Sequence, residues 1–317
     1  MSVPRDWIDN LLGLDRDPRT LQWWITGIIP IPAVLVAYTA AATVLPLLMS
    51  GRKSRLPIST PVLAAYNGLM CAAHGLVGLL LLYAYQESGR SFVCQDQSFD
   101  ANPTSALLLK LVWFYSLLKQ LSMLDAFILI SLIKEKRIAN ASVLNGYLSV
   151  ANTWCFLRYG ADGQGVPAIV ALCLVDSVTY GYFVCSVLGS GVMSVLRPHR
   201  VQLTRLQLIG TSLALANYFV ALIAECKYPS VLALLGFAHV GMRFVRLFDF
   251  YTEKFVLNGV RLGLDWTIIA GILENCCFAQ GNPSGQQDDD DDYPTKAAPS
   301  TGFRNGFSGP ITKPKRG

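Results

Sequence analysis

Long apolar runs separated by short polar breaks dominate this chain. A membrane-spanning helix needs about 20 mostly apolar residues, because the hydrocarbon core is about 30 Å thick and a helix rises about 1.5 Å per residue. Seven stretches qualify: Trp23 to Met49, Pro61 to Tyr85, Thr104 to Ile133, Ile138 to Leu157, Gln164 to Leu188, Gln202 to Ala224 and Pro229 to Tyr251. The pattern predicts an all-α polytopic membrane protein with seven transmembrane helices. The fourth stretch carries Asn140, Asn145, Gly146 and Asn152, and a re-entrant or tilted segment is its other reading. The first run begins late, is too long for a signal peptide and precedes no small-residue cleavage site, so it is expected to be retained.

Short loops rich in Lys and Arg mark the cytosolic side. Arg52, Lys53 and Arg55 follow the first span, Lys134, Lys136 and Arg137 the third, and Arg197, Arg200 and Arg205 the fifth. The alternate loops offer only Arg90, Arg158 and Lys227, and the N-terminal segment offsets Arg5, Arg16 and Arg19 with Asp6, Asp9, Asp15 and Asp17. This asymmetry places the N-terminus on the lumenal or outer side and the C-terminus in the cytosol, as an odd number of spans requires.

Outside the spans, residues 1–22 read as a lumenal segment. Trp7, Ile8, Leu11, Leu12 and Leu14 among charges predict a short interfacial helix there, with an unstructured leader as the alternative. Residues 23–255 form the membrane domain, 256–279 an amphipathic cytosolic segment, and 280–317 a Gly-, Pro-, Ser- and Asp-rich tail that cannot bury a core. Lys313 and Lys315, third and fifth from the end, have the form of a dilysine retrieval signal, which predicts the endoplasmic reticulum membrane.

Composition narrows the function classes. With 52% hydrophobic and 15% charged residues, the 317-residue chain is no soluble two-domain protein and no disordered one, and 8 Cys are too sparse for a disulfide scaffold. The net charge of +5 is scattered in small clusters, so no nucleic-acid partner is expected. Nucleotide-loop, nucleophile-elbow and zinc-protease motifs are missing, and His74, His199 and His239 are far apart, so no metal site is expected. Cys94 and Cys226 fall in predicted lumenal loops, where oxidation is favoured, and are expected to form a disulfide.

Ionisable groups within spans are costly unless paired or facing a cavity, which makes them the first candidates for function. Lys119, Ser122 and Asp125 stand at i, i+3 and i+6 of the third span, able to pair across its turns; a structural ion pair is the plainer reading. Asp176 and Tyr180 lie one turn apart on the fifth span, where Asp176 is either chemical or simply hydrogen-bonded to its neighbours. His239, Arg243 and Arg246 form one stripe on the seventh span. Two guanidinium groups suit phosphates, whereas snorkelling to headgroups is the other reading, above all for Arg246.

These residues, in this order, resemble the ELO family of membrane condensing enzymes that elongate very long acyl chains. The resemblance covers roughly residues 58 to 255. It rests on Pro61, Tyr66 and Asn67; Cys94; Lys119 and Asp125; Tyr180, Tyr182, Phe183, Leu188 and Gly189; Thr204, Leu206 and Gln207; Cys226, Tyr228 and Pro229; and Phe248, Phe250 and Tyr251. No single match is specific, but their order and spacing are. The resemblance implies helices two to seven arranged as a six-helix barrel around a narrow acyl tunnel, with the first helix outside.

The departures concern chemistry. The family's His-x-x-His-His box should begin at Ser142, where the chain reads Ser142, Val143, Leu144, Asn145, Gly146. A further family histidine aligns with Asp176, and the Asn one turn before it with Leu172. Condensing an acyl-CoA with malonyl-CoA needs a nucleophile to hold the acyl group and stabilisation of the enolate formed as carbon dioxide leaves. Ser142 lacks a base in sequence, Asn145 cannot be one, and Cys155 or Cys173 would be buried thiols.

The reading is therefore an acyl-chain or acyl-CoA binding protein, or a non-catalytic partner of active elongases, with membrane lipid, long-chain acyl-CoA, and elongase-complex proteins or a second copy of the chain as the expected partners. Lys119, Tyr180, Gln207, His239 and Arg243 are the candidates for acyl-CoA contacts, and no cofactor is expected. An active 3-oxoacyl-CoA synthase with a relocated nucleophile, using acyl-CoA and malonyl-CoA as substrates, would draw on Lys119, Ser122, Asp125, Ser142, Asn145 and Asp176. A purely structural membrane subunit is the third alternative.

Overall fold

A computed structural model describes residues 6–50, 59–97, 99, 102–132, 136–188, 190–224, 226–252 and 255. Every regular element among them is helical: α1 (Trp7–Leu12), α2 (Pro30–Ser50), α3 (Thr60–Glu87), α4 (Pro103–Leu121), α5 (Leu124–Leu132), α6 (Lys136–Tyr159), α7 (Gly165–Leu188), α8 (Ser190–Leu196), α9 (Arg200–Ile223) and α10 (Ser230–Tyr251), with three short 3₁₀ turns. Six stretches are helical, long and apolar enough to cross a bilayer: Pro30–Leu48, Thr60–Glu87, Pro103–Ile128, Gly165–Leu188, Arg200–Ile223 and Ser230–Tyr251. The 24-residue α6 has the length, but its asparagines and basic residues keep it below that apolarity. Segment 256–279 and the tail, with Lys313 and Lys315, lie outside the described residues.

Helix packing closes a ring. α3 packs on α7, α7 on α9, α9 on α10, α10 on α6, α6 on α4 and α4 back on α3, while α2 stands outside against α5 and α6. The α3–α7 seam is held close by small residues, which let two backbones approach within a bilayer. A Cβ added at Gly78 would meet the Cys173 Cβ at 2.9 Å, and one at Gly75 would meet the Ser177 Oγ at 3.0 Å. That approach sets His74, on α3, against Asp176, on α7.

Where the sequence predicts one third span, the structure has a break. Asn102 and Pro103 start α4, the Asn102 side chain accepting from the Ser105 amide at 2.7 Å. At its other end the Ser122 Oγ donates to the Lys119 carbonyl at 2.8 Å, and the Met123 and Asp125 amides reach back only three residues. This tightened turn places Asp125 in the first turn of α5, where the positive end of the helix dipole favours a carboxylate.

One end of the ring is tied by buried ionic contacts. Arg158, at the end of α6 and without solvent exposure, donates to Asp9 at 2.7 and 3.0 Å, to Asp6 at 2.7 Å and to the Thr26 carbonyl at 2.6 Å. Tyr159 adds a hydroxyl to Asp9 at 2.6 Å. Burial alone would raise the Asp9 carboxyl, but donation from Tyr159, from the Asp6 amide and from Arg158 outweighs it and holds the group below its ordinary value. Asp162, also buried, is shared by Arg19 at 3.0 Å and Arg90 at 3.2 Å. Cys94 and Cys226 are joined in a disulfide at this end, their Cα atoms 5.8 Å apart. The predicted short N-terminal helix is therefore α1, ended by Gly13 at φ 65° and anchored through Asp9 as well as through apolar side chains.

Candidate functional site

The ring interior holds a charged cluster centred on Asp176, midway along α7. Lys119 of α4 donates to its Oδ2 and Arg243 of α10 to its Oδ1, so two cations share one carboxylate. The side chains of Lys119 and Asp176 are 6% and 8% exposed and that of Arg243 20%, which makes Arg243 the least buried of the three. Removing these charges from water is costly, and only the complete set offsets that cost. Such a set holds together or fails together.

His74 completes the group from α3. Its Nδ1 lies 2.9 Å from the Met70 carbonyl, an acceptor only, so Nδ1 carries the hydrogen. Nε2 then faces Asp176 Oδ2 at 3.8 Å and makes no hydrogen bond, although the side chain is fully buried. The ring stacks on Tyr180, centroids 5.4 Å apart.

A second cluster lies beside it. Asp125 accepts from the hydroxyls of Tyr66 at 2.7 Å and Tyr180 at 2.5 Å, and the two phenol rings meet edge to face. Tyr180 therefore links the two carboxylates, bonded to one and stacked on the histidine that faces the other. Further along α10, His239 is buried one turn before Arg243, its Nδ1 accepting from the Asn152 amide at 3.5 Å. With Nδ1 an acceptor, a neutral His239 carries its proton on Nε2.

The sequence-predicted residues separate into groups. Lys119, Asp176 and Arg243 come together, with Tyr180 and His239 close by. Lys119 reaches across to Asp176 rather than along its own helix to Asp125, because the break at Ser122 and Met123 intervenes and Asp125 is taken by the tyrosines. Ser122 caps the end of α4 through its hydroxyl, which bonds the Lys119 carbonyl, while only its backbone carbonyl meets Asp125, accepting from that residue's amide. Gln207 bonds the Thr179 Oγ1 at 2.7 Å and lines a groove between α7 and α9, apart from the charged cluster. Ser142 and Asn145 lie half-buried on α6, and no described hydrogen bond joins either to Lys119, Asp125 or Asp176. Sequence reasoning missed His74, read only as an isolated histidine, and Arg158, read only as a loop charge.

With the ring and its cluster in place, comparison with known proteins is informative. The ELO family model, described as the GNS1/SUR4 family, matches residues 23–261. The chain belongs to the ELO family. This ELO protein is 22% identical over 213 residues to very long chain fatty acid elongase 4 of Macaca mulatta, a match covering 63% of this chain and 67% of that one. It is 23% identical over 197 residues to very long chain fatty acid elongase 4 of Homo sapiens, covering 61% and 62%, and 22% identical over 193 residues to very long chain fatty acid elongase 1 of Mus musculus, covering 59% and 68%. It is thus an elongase-like, multi-pass membrane protein of the family.

Chemically, the ELO ring here gathers charge around Asp176. Among the described residues no serine or cysteine side chain hydrogen-bonds to an imidazole or a carboxylate, the arrangement that activates such nucleophiles. Nor does any group of three His, Cys, Asp or Glu stand ready for a metal ion among them.

Proposed function

We propose that this ELO protein is a non-catalytic binder of long acyl chains or acyl-CoA, acting beside active elongases in the endoplasmic reticulum membrane. One observation carries the reading: Asp176, where the family resemblance expects a histidine, is clamped between Lys119 and Arg243. A carboxylate fixed by two cations can neither take up an acyl group as an imidazole does nor act as a free base. The Ser142–Gly146 stretch, standing where the histidine box would be, supplies no replacement imidazole. Arg243 and Lys119 suit a CoA phosphate or a carboxylate that competes with Asp176, and Tyr180 and His239 flank the same interior. The fold reading that accompanies this proposal has seven spans, α6 being the most polar, around an acyl tunnel, with the N-terminus lumenal and the C-terminus cytosolic. Supporting it are the closed ring of helices and the Lys and Arg bias of alternate loops.

The test is lipid carried through purification and identified by mass spectrometry, together with a melting-temperature titration. A ligand at one hundred times its Kd stabilises by about 2.7 kcal/mol, which a thermal shift resolves. Retained acyl lipid and a shift with long-chain acyl-CoA, both lost in Arg243→Gln, support binding. Folded protein with neither refutes it and favours a purely structural subunit.

A second reading, an active condensing enzyme with a relocated nucleophile, has one specific observation in its favour. His74 Nε2 is buried, has no hydrogen bond and faces the Asp176 cluster. Malonyl-dependent product formation that His74→Gln abolishes without unfolding the protein would select this reading over the first.

A further inference from the structure

Residues 6–29 have their polarity inside out. Asp9 and Asp17 are buried, as are Arg158 and Asp162, which the segment engages, whereas Trp7, Leu11, Trp24 and Ile29 are 65%, 74%, 61% and 80% exposed and Leu21 is exposed too. A segment that faces water keeps its charges out and its large apolar groups in, and here the two are exchanged. Of the apolar residues in and beside α1, Ile8, Leu12 and Leu14 pack into the core, which leaves Trp7 and Leu11 outside, one turn apart.

Two features identify what covers this patch. The first is continuity with surfaces that face lipid. Ile29 leads directly into α2, whose Val36, Val44 and Leu47 are exposed along a span, and Trp23 meets Trp113 of α4 edge to face at 6.2 Å, next to the half-exposed Phe114. The Arg158–Asp9 pair holds α1 level with the last turn of α6. The second is the backbone. The amides of Thr20, Trp23, Thr26 and Gly27 bond within the segment, and the carbonyls of Thr26 and Gly27 accept from Arg158 and Trp154, so the exposed turns meet the demand that lipid makes on polar backbone groups. Asn10, Asp15 and Gln22 are exposed as well, which sets the depth at the hydrated boundary rather than in the hydrocarbon.

We propose that residues 6–29 form a foot seated in the headgroup–acyl boundary of the leaflet at this end of the ring, with Trp7, Leu11, Leu21, Trp24 and Ile29 in lipid and the Arg158 and Asp162 contacts as its inner brace. Tryptophan suits that boundary because its ring is apolar and its indole N–H is not. The foot is separate from the ring interior and does not rest on the acyl-binding reading.

The experiment uses the full chain with fluorinated tryptophan in phosphatidylcholine nanodiscs, read by fluorine NMR, with Trp7→Phe and Trp24→Phe assigning two of the resonances. Lipid that carries a nitroxide near its headgroup should broaden both at least about twofold more than a gadolinium chelate in the water does. Broadening by the chelate equal to or greater than that by the lipid overturns the proposal and leaves the patch to a soluble protein. Leu11→Asp supplies a second arm. Leu11 is largely exposed, so the change removes little packing and leaves α1 undisturbed if that face meets water. In nanodiscs it should instead raise hydrogen exchange across residues 7–14 at least about tenfold, because a carboxylate draws that face out of lipid. Unchanged exchange, in protein whose Cys94–Cys226 bond is intact, overturns the proposal as well. Should Leu11→Asp misfold, the two resonances of the unsubstituted chain still decide.

Discussion

Replacing Arg158 by methionine should unseat the N-terminal segment while preserving much of the side chain's volume. In the native protein this guanidinium is fully buried and satisfies Asp9, itself 1% exposed, through two bonds. Its contact with Asp6 counts for little, because that carboxylate is 40% exposed and solvent-screened. Removing one partner of a buried pair costs about 3–5 kcal/mol, about two to almost four powers of ten in the folded ratio, since the other charge stays buried and unpaired. Thermal denaturation of the detergent-purified protein, followed by size-exclusion of the surviving fraction, reads the loss. Asp9→Asn in the same background should return at least about 1 kcal/mol, because it removes the stranded charge. pH supplies an independent check. The Asp9 carboxyl is held below its ordinary value in the folded protein, so its contribution is present above the ordinary carboxylate range and is lost as pH falls through the lowered value. Stability should therefore drop below about pH 4 in the unsubstituted chain, and less steeply in Asp9→Asn. Arg158→Met melting together with the unsubstituted protein, or a double variant no better than the single one, would refute the reasoning.

Three further outcomes follow from the interior and the disulfide. Asp176→Leu strands Lys119 and Arg243 and should cost about 3–5 kcal/mol in the same melting assay, with part of the loss recovered by adding Lys119→Met. Tyr180→Phe removes one of two hydroxyl donors to Asp125 and should cost about 1–3 kcal/mol, less than additively with Tyr66→Phe because both serve one carboxylate. Cys94→Ser should cost about 2–5 kcal/mol and expose Cys226 to a thiol reagent that does not label it in the unsubstituted protein.

Elements governed by local pattern were legible in the sequence. Apolar runs of bilayer length located the long helices, and the ionisable residues within them marked Lys119, Asp176 and Arg243 before their pairing was visible. The pairing itself was not readable, because it joins α4, α7 and α10, whose order around the ring is a matter of packing. The break at Ser122 and Met123 was hidden for a different reason: Ser122 is compatible with an apolar helix, and only its bond to the Lys119 carbonyl turns it into a terminus. His74 carried no motif, and its place beside Asp176 depends on the close α3–α7 approach at Gly75 and Gly78. The Arg158 anchor escaped because its carboxylates, Asp6 and Asp9, lie about 150 residues away along the chain and read locally as surface charge.

The central claim is that an ELO ring has exchanged histidine chemistry for a fixed ionic clamp and kept the capacity to bind. Incorporation of labelled malonyl-CoA into 3-oxoacyl-CoA tests it most directly, using the full-length protein in microsomes lacking other elongases, across saturated and unsaturated primers. The account predicts no product above microsomes without the protein, from chain that is folded and correctly inserted. Product that appears with the unsubstituted chain and disappears in Lys119→Ala would contradict it.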